Sequence, residues 1–372
     1  MRSMLFVVTS FLVTILAWGV YGPVLHWGQH GMSTVDGLAR MRPFVCVGLA
    51  YFAIGVIVPA ALLKLKGEQG DWTVRGILFS LAGGALGAIG ALGIIMAFNF
   101  GGRPVFVMPL VFGGAPVVNS FVTIKWAGRM KEISPIFIAG LVMVLLGAIT
   151  VLRCAPKAEP TPEPKPAEVV ADSAESEVAT SETGPVGSFL MQLVSIVLTV
   201  VCWGSYGPVL HKGQAAMHHS RLRPLLCVGL AYFAIAVVVP NLWLAGVPEA
   251  SAYTFTGTLW SLAAGAAGAI GALGIIMAFN FGGRPVYVMP LVFGGAPVVN
   301  TLFTTILGGL WNEVSALFLA GLILVITGAA IVLVFAPRGA PPSEAEAEAA
   351  KDSPSTSNAE PEIAAENKNE KK

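Results

Sequence analysis

Charge is what this sequence is short of. Charged residues make up 12% of its 372 positions, against a usual share near ~25%, while 55% are hydrophobic and the mean hydropathy is +0.76. That balance excludes an ordinary water-soluble domain. Cysteine is scarce as well: the four residues form no CxxC pair, which argues against a disulfide framework and a zinc site, and neither a metal nor another cofactor is expected. Of the 21 acidic residues, seven lie between Ala155 and Val186 and eight after Ala336, leaving Asp36, Glu68, Asp71, Glu132, Glu249 and Glu313 elsewhere. No long apolar run contains a carboxylate, so the chain lacks the acid–base set that a membrane enzyme would need. With two and five of the 22 Lys and Arg in those same acidic stretches, 15 remain against six acids. This excess sits in short loops, where it sets orientation in a lipid bilayer; a nucleic-acid partner is not expected.

What the chain does have is ten apolar stretches of the length that a hydrocarbon core of ~30 Å requires, near 4–24, 43–63, 75–98, 104–124, 135–152, 187–209, 224–244, 256–279, 285–306 and 316–336. They fall into two copies. Residues 18–29 read WGVYGPVLHWGQ and 203–214 read WGSYGPVLHKGQ; from Ser80 to Asn119 and from Ser261 to Asn300 the copies agree at 37 of 40 positions. The match also argues against reading the first stretch as a signal peptide. Five helices per copy is an odd number, so the second copy enters the bilayer from the opposite side. Charge agrees: Lys64, Lys66 and Arg75 flank one loop and Lys125, Arg129 and Lys131 another, while the counterpart loops have no Lys or Arg. The expected fold is an all-α membrane protein, ten transmembrane helices forming two inverted-topology five-helix repeats at 1–153 and 187–336. The segments 154–186 and 337–372, rich in Pro, Glu, Ala and Ser, are expected to be a disordered extracytoplasmic linker and a disordered acidic cytoplasmic tail. By the positive-inside rule both termini are cytoplasmic in a bacterial-type inner membrane.

Each copy closes on Glu-x-Ser followed by two Gly seven apart: Glu132, Ser134, Gly140 and Gly147, then Glu313, Ser315, Gly321 and Gly328. With the ten-helix duplication, this resembles the drug/metabolite transporter superfamily and its EamA-like repeat, and the Trp-Gly of the first helix is similar to the sugar-uptake branch. The resemblance covers roughly 3–153 and 187–336 and implies secondary transport of a small metabolite through a central cavity. The absence of an intramembrane carboxylate departs from proton-coupled multidrug members.

The candidate site residues come in matched pairs. Asn119 and Asn300 carry amides that must face protein or a wet cavity, as interhelical glue or as solute contacts. Pro116 and Pro297, in Phe-Gly-Gly-Ala-Pro, bend or break their helices, and such breaks at corresponding points of two inverted halves mark transporter sites. Trp18 with Tyr21, and Trp203 with Tyr206, lie about 60° apart on a helix, a face suited to a sugar ring or an aromatic metabolite, or else to an interfacial aromatic belt. His26 and His211 are either interfacial or coupling groups, with a proton as the candidate ion. Arg103 and Arg284, in identical Asn-Phe-Gly-Gly-Arg-Pro hairpins, either snorkel to lipid phosphate or gate an anionic solute. Gly84, Gly87, Gly90 and Gly93, repeated at Gly265, Gly268, Gly271 and Gly274, let helices approach closely. Ser134 and Ser315 fit helix N-caps. Together these point to a secondary transporter moving a small, polar, neutral metabolite such as a sugar by alternating access, with a channel or a non-transporting scaffold as the alternative.

Overall fold

The computed structural model describes residues 2–34, 38–154, 185–247, 249–309, 311–335 and 337. The expected linker and tail lie outside the described residues but for Cys154, Pro185, Val186 and Pro337. Among the described residues the elements are helical, and an isolated bridge between Ser33 and Ser251 joins two loops. In chain order they are α1 (Arg2–Met32), α2 (Met41–Phe52), α3 (Val58–Lys66), α4 (Val74–Asn99), α5 (Pro104–Trp126), α6 (Pro135–Cys154), α7 (Pro185–Ala216), α8 (Leu222–Tyr232), α9 (Val239–Gly246), α10 (Phe255–Asn280), α11 (Pro285–Leu307) and α12 (Ala316–Phe335).

Among the described residues, eight runs are long and apolar enough to cross a membrane: Met4–Met32, Met41–Lys66, Val74–Asn99, Pro104–Trp126, Val186–Ala216, Leu222–Gly246, Phe255–Asn280 and Pro285–Leu307. The described apolar stretches of α6 and α12, Pro135–Val151 and Ala316–Val332, are shorter, so eight rather than ten spans stand on length and composition. The perimeter is covered by large apolar side chains, among them Leu5, Leu16, Leu78, Leu242 and Leu317. A surface of that kind suits lipid and not water. The chain is a multi-pass helical membrane protein.

Local sequence explains where the helices begin and turn. Thr73 and Thr254 cap α4 and α10 by accepting from Gly76 N and Gly257 N at 3.0 Å each. Ser134 and Ser315 cap α6 and α12 through Phe137 N and Phe318 N at 3.1 Å, as their position before an apolar run predicts. The hairpins between α4 and α5 and between α10 and α11 turn on Gly101 and Gly282, whose φ of +89° and +93° suits a residue without Cβ. α5 runs on through Pro109 and Pro116, and α11 through Pro290 and Pro297; the helices are continuous at the points where the sequence predicts a bend or break. A different proline pair alters the backbone. α2 joins α3 through a π turn at Ala53–Ile57, and α8 joins α9 through another at Phe233–Val238. Pro59 and Pro240 follow them and lack the N–H for an ordinary helical bond, and Val58 N and Val239 N reach back five residues to Ala53 O and Ala234 O.

The two copies pack on each other more than each packs on itself. α1 runs antiparallel to α10: Thr14 Oγ1 donates to Gly271 O at 3.0 Å, Trp18 Nε1 to Gly268 O at 3.2 Å, and Thr254 Oγ1 to Gly31 O. α7 lies on α4 in the same way, through Thr199 Oγ1 to Gly90 O at 3.1 Å, Trp203 Nε1 to Gly87 O at 3.2 Å and Thr73 Oγ1 to Ala216 O at 2.8 Å. The glycine stripes make this possible. A Cβ on Gly90 or Gly271 would strike the indole of Trp203 or Trp18. One on Gly87 or Gly268 would come within 2.9 or 2.8 Å of the Tyr232 or Tyr51 ring. At Gly87, Gly90, Gly268 and Gly271 the stripes are seats for aromatic side chains of the opposite copy.

Candidate functional site

A cavity lies where six helices meet, lined by Trp18 and Tyr21 of α1, Tyr51 of α2, Gly87 of α4, Trp203 and Tyr206 of α7, Tyr232 of α8 and Gly268 of α10. Every lining residue of one copy has its counterpart from the other. The centres of water-sized molecules have about 20 Å³ there, room for a water or two and too little for a metabolite.

The rings are close to one another. Trp18 and Trp203 stack with centroids 6.2 Å apart at 25°. Each also meets the other copy's tyrosine edge-on, Trp18 with Tyr206 at 6.1 Å and Tyr21 with Trp203 at 6.0 Å. Tyr51 and Tyr232 lie face to face, centroids 3.5 Å apart and planes within 3°. Phe112 and Phe293, 6.1 Å apart, pack beneath the indoles, Phe112 against Trp203 at 6.0 Å and Phe293 against Trp18 at 6.1 Å. Both indole N–H groups are engaged by glycine carbonyls. The hydroxyls of Tyr21 and Tyr206 are buried and have no hydrogen-bond partner among the described residues. The lining is therefore neutral, aromatic and poor in free hydrogen-bonding groups.

Of the residues singled out from sequence, Trp18, Tyr21, Trp203 and Tyr206 come together in this lining; the others sit elsewhere. Asn119 and Asn300 are fully buried where α5 and α11 cross antiparallel, and their Nδ2 atoms donate to Pro285 O at 3.2 Å and Pro104 O at 3.3 Å. Pro116 and Pro297 are buried within the same helices. His26 packs on Phe98 and His211 on Phe279, ring centroids 5.1 and 5.0 Å apart, and His26 Nε2 lies 3.2 Å from His30 Nε2. Arg103 and Arg284 are exposed at the starts of α5 and α11.

Sequence reading missed Tyr51 and Tyr232, although the signal was present: residues 48–54 and 229–235 both read GLAYFAI. It also missed Gln29 and Gln214, which are fully buried at the ends of the matched first-helix motif. Gln29 Nε2 donates to Ala39 O at 2.8 Å and Ile95 O at 3.3 Å, and Gln214 Nε2 to Ile276 O at 3.0 Å.

Away from the cavity, two carboxylates clip a loop of one copy to a helix start of the other. Glu68, 4% exposed in its side chain, accepts from Ser220 Oγ at 2.6 Å, Arg221 N and Nε at 2.9 Å and Leu222 N at 3.0 Å, with Arg223 3.8 Å away. Glu249, 7% exposed, accepts from Arg40 N at 2.6 Å and Met41 N at 3.2 Å, with Arg40 and Arg42 at 3.6 and 3.8 Å. Burial raises the Glu68 carboxyl's pKa, but the bonds from Ser220, Arg221 and Leu222 outweigh it, leaving a net depression. Each carboxylate also sits at the positive end of a helix, α8 or α2.

A scan of family models and a search of curated proteins each return no match. A crystal structure of a protein superposes with a TM-score of 0.55 at 16% sequence identity, over 89% of this chain and 98% of its own. At that identity the likeness is one of fold.

Proposed function

We propose that this protein is a secondary transporter of the drug/metabolite type, in which two inverted five-helix repeats, α6 and α12 included as spans, rock about the aromatic cavity. The observation that carries the reading is the cavity itself: matched residues of two copies supply it equally, and it is collapsed to the size of a water or two. A site between two rocking halves has that construction. The loop contacts support the inverted orientation. Glu249, between α9 and α10, holds the segment between α1 and α2, whereas Glu68, between α3 and α4, holds the one between α7 and α8. In parallel repeats those partners would lie on opposite faces of the bilayer. With the termini cytoplasmic, Glu68 closes the cytoplasmic face and Glu249 the outer face of a bacterial-type inner membrane, and both are shut in this state.

The test is counterflow. Proteoliposomes preloaded separately with neutral sugars, amino acids, organic anions and organic cations are assayed for uptake of labelled tracer of the same class. Saturable counterflow with one class, lost in Tyr21→Leu, is the expected result. Flux that is unsaturable, or absent for every class, returns the chain to the channel or scaffold alternative.

A further inference from the structure

We propose that the solute is a compact organic cation of the quaternary ammonium class, held by ring faces and not by a carboxylate. The inference rests on the transporter reading above and narrows its substrate.

The hydrogen-bonding capacity of the lining points away from a sugar. The amide nitrogens of Asn119 and Asn300 are bonded to Pro285 O and Pro104 O, and neither side chain lines the cavity. The indole N–H groups of Trp18 and Trp203 are spent on Gly268 and Gly87. What faces a solute is phenol, with Tyr21 and Tyr206 offering unpartnered hydroxyls. A polyol enclosed here would strand most of its hydroxyls, each at a desolvation cost.

The arrangement of the rings points toward a cation. Aromatic pairs prefer offset or edge-to-face geometry, because the two faces of a sandwich are both electron-rich. Tyr51 and Tyr232 are nevertheless almost eclipsed, 3.5 Å apart and within 3° of parallel. A positive charge between or beside these faces converts their mutual repulsion into attraction, and Trp18, Trp203, Tyr21 and Tyr206 add four more rings around the same space. Among the described residues no Lys, Arg or His lines the cavity to oppose it. A primary ammonium would need acceptors for three N–H groups, which this lining does not offer; a quaternary ammonium has none to satisfy. The π turns that begin at Ala53, two residues after Tyr51, and at Phe233, next to Tyr232, put a rearrangeable stretch of backbone close to the two rings that must part.

The purified full-length protein is titrated with choline, tetramethylammonium, the uncharged choline isostere 3,3-dimethyl-1-butanol, and glucose, following intrinsic tryptophan fluorescence and melting temperature. Choline should bind at least about tenfold more tightly than the isostere, with Tyr232→Phe retaining the preference and Tyr232→Leu losing it. Should the leucine variant not fold, the choline-to-isostere ratio on the native protein decides alone. Equal binding of choline and isostere, or binding of glucose without either cation, overturns the cation inference and leaves the transporter reading standing. Absence of any cation response likewise overturns the inference, and sugar or anion counterflow then distinguishes that failure from failure of the transporter reading itself.

Discussion

Trp18 and Trp203 stack on each other across the centre of the molecule, and each anchors its indole N–H on a glycine carbonyl of the opposite copy, Gly268 or Gly87. Each half thereby fixes an aromatic wall of the other half's cavity. The seat exists because α4 and α10 present glycine where any Cβ would collide.

Gly90→Ala should therefore destabilise the protein by ~1–3 kcal/mol, the usual cost of overpacking. Gly83→Ala should be close to neutral, since a Cβ there meets Leu210 at an ordinary 3.5 Å and the second copy already carries Ala264. Melting temperatures in detergent compare the two. Equal losses would show that the glycine stripe is not a seat for Trp203.

The Glu68 clip makes stability sensitive to acid. Its carboxyl has a folded-state pKa below the ordinary carboxylate value, so its contribution is complete above the unfolded pKa and is lost as pH falls through the folded one. Melting temperature should fall on acidification below the usual carboxylate range, and Glu68→Gln should be less stable than the native chain at neutral pH and flatter across that window. An unchanged acid limb in the variant would assign the loss to other carboxylates.

Asn119→Leu and Asn300→Leu should leave transport intact and cost about 0.6 kcal/mol each, the average for interhelical polar contacts in membranes. Their amide nitrogens are bonded to Pro285 O and Pro104 O. Lost transport at unchanged stability would instead place these amides on the solute.

Particular residues show how far the sequence could be read. The doubled Trp-Gly and Tyr-Gly-Pro motif drew attention to four of the six lining rings, and Ser before an apolar run located the caps of α6 and α12. Facing was not legible. A helix apolar on all sides gives no polar stripe to orient it, and in α4 only Ser80 interrupts the apolar stretch that holds both the lining Gly87 and the exposed Leu78. Tyr51 and Tyr232 escaped notice for the same reason. Asn119 was legible as a buried amide, but its partner is a carbonyl supplied by the other copy, which no local pattern encodes.

Orientation has a simple check. Gln69→Cys and Ala250→Cys, introduced singly into a chain whose four native cysteines are replaced, should react with a membrane-impermeant maleimide from opposite sides of oriented vesicles. Both reacting from one side would refute inverted repeats.

The most direct test of alternating access is to measure the two faces at once, by electron–electron resonance between spin labels at Gln69 and His219 across the Glu68 clip and, in a second sample, at Thr34 and Ala250 across the Glu249 clip, in liposomes with and without choline. The account predicts two populations, each with one clip opened and the other kept short, and a shift between them on adding the cation. Distances that lengthen together would describe a channel, and distances that never change would describe a scaffold; either result contradicts it.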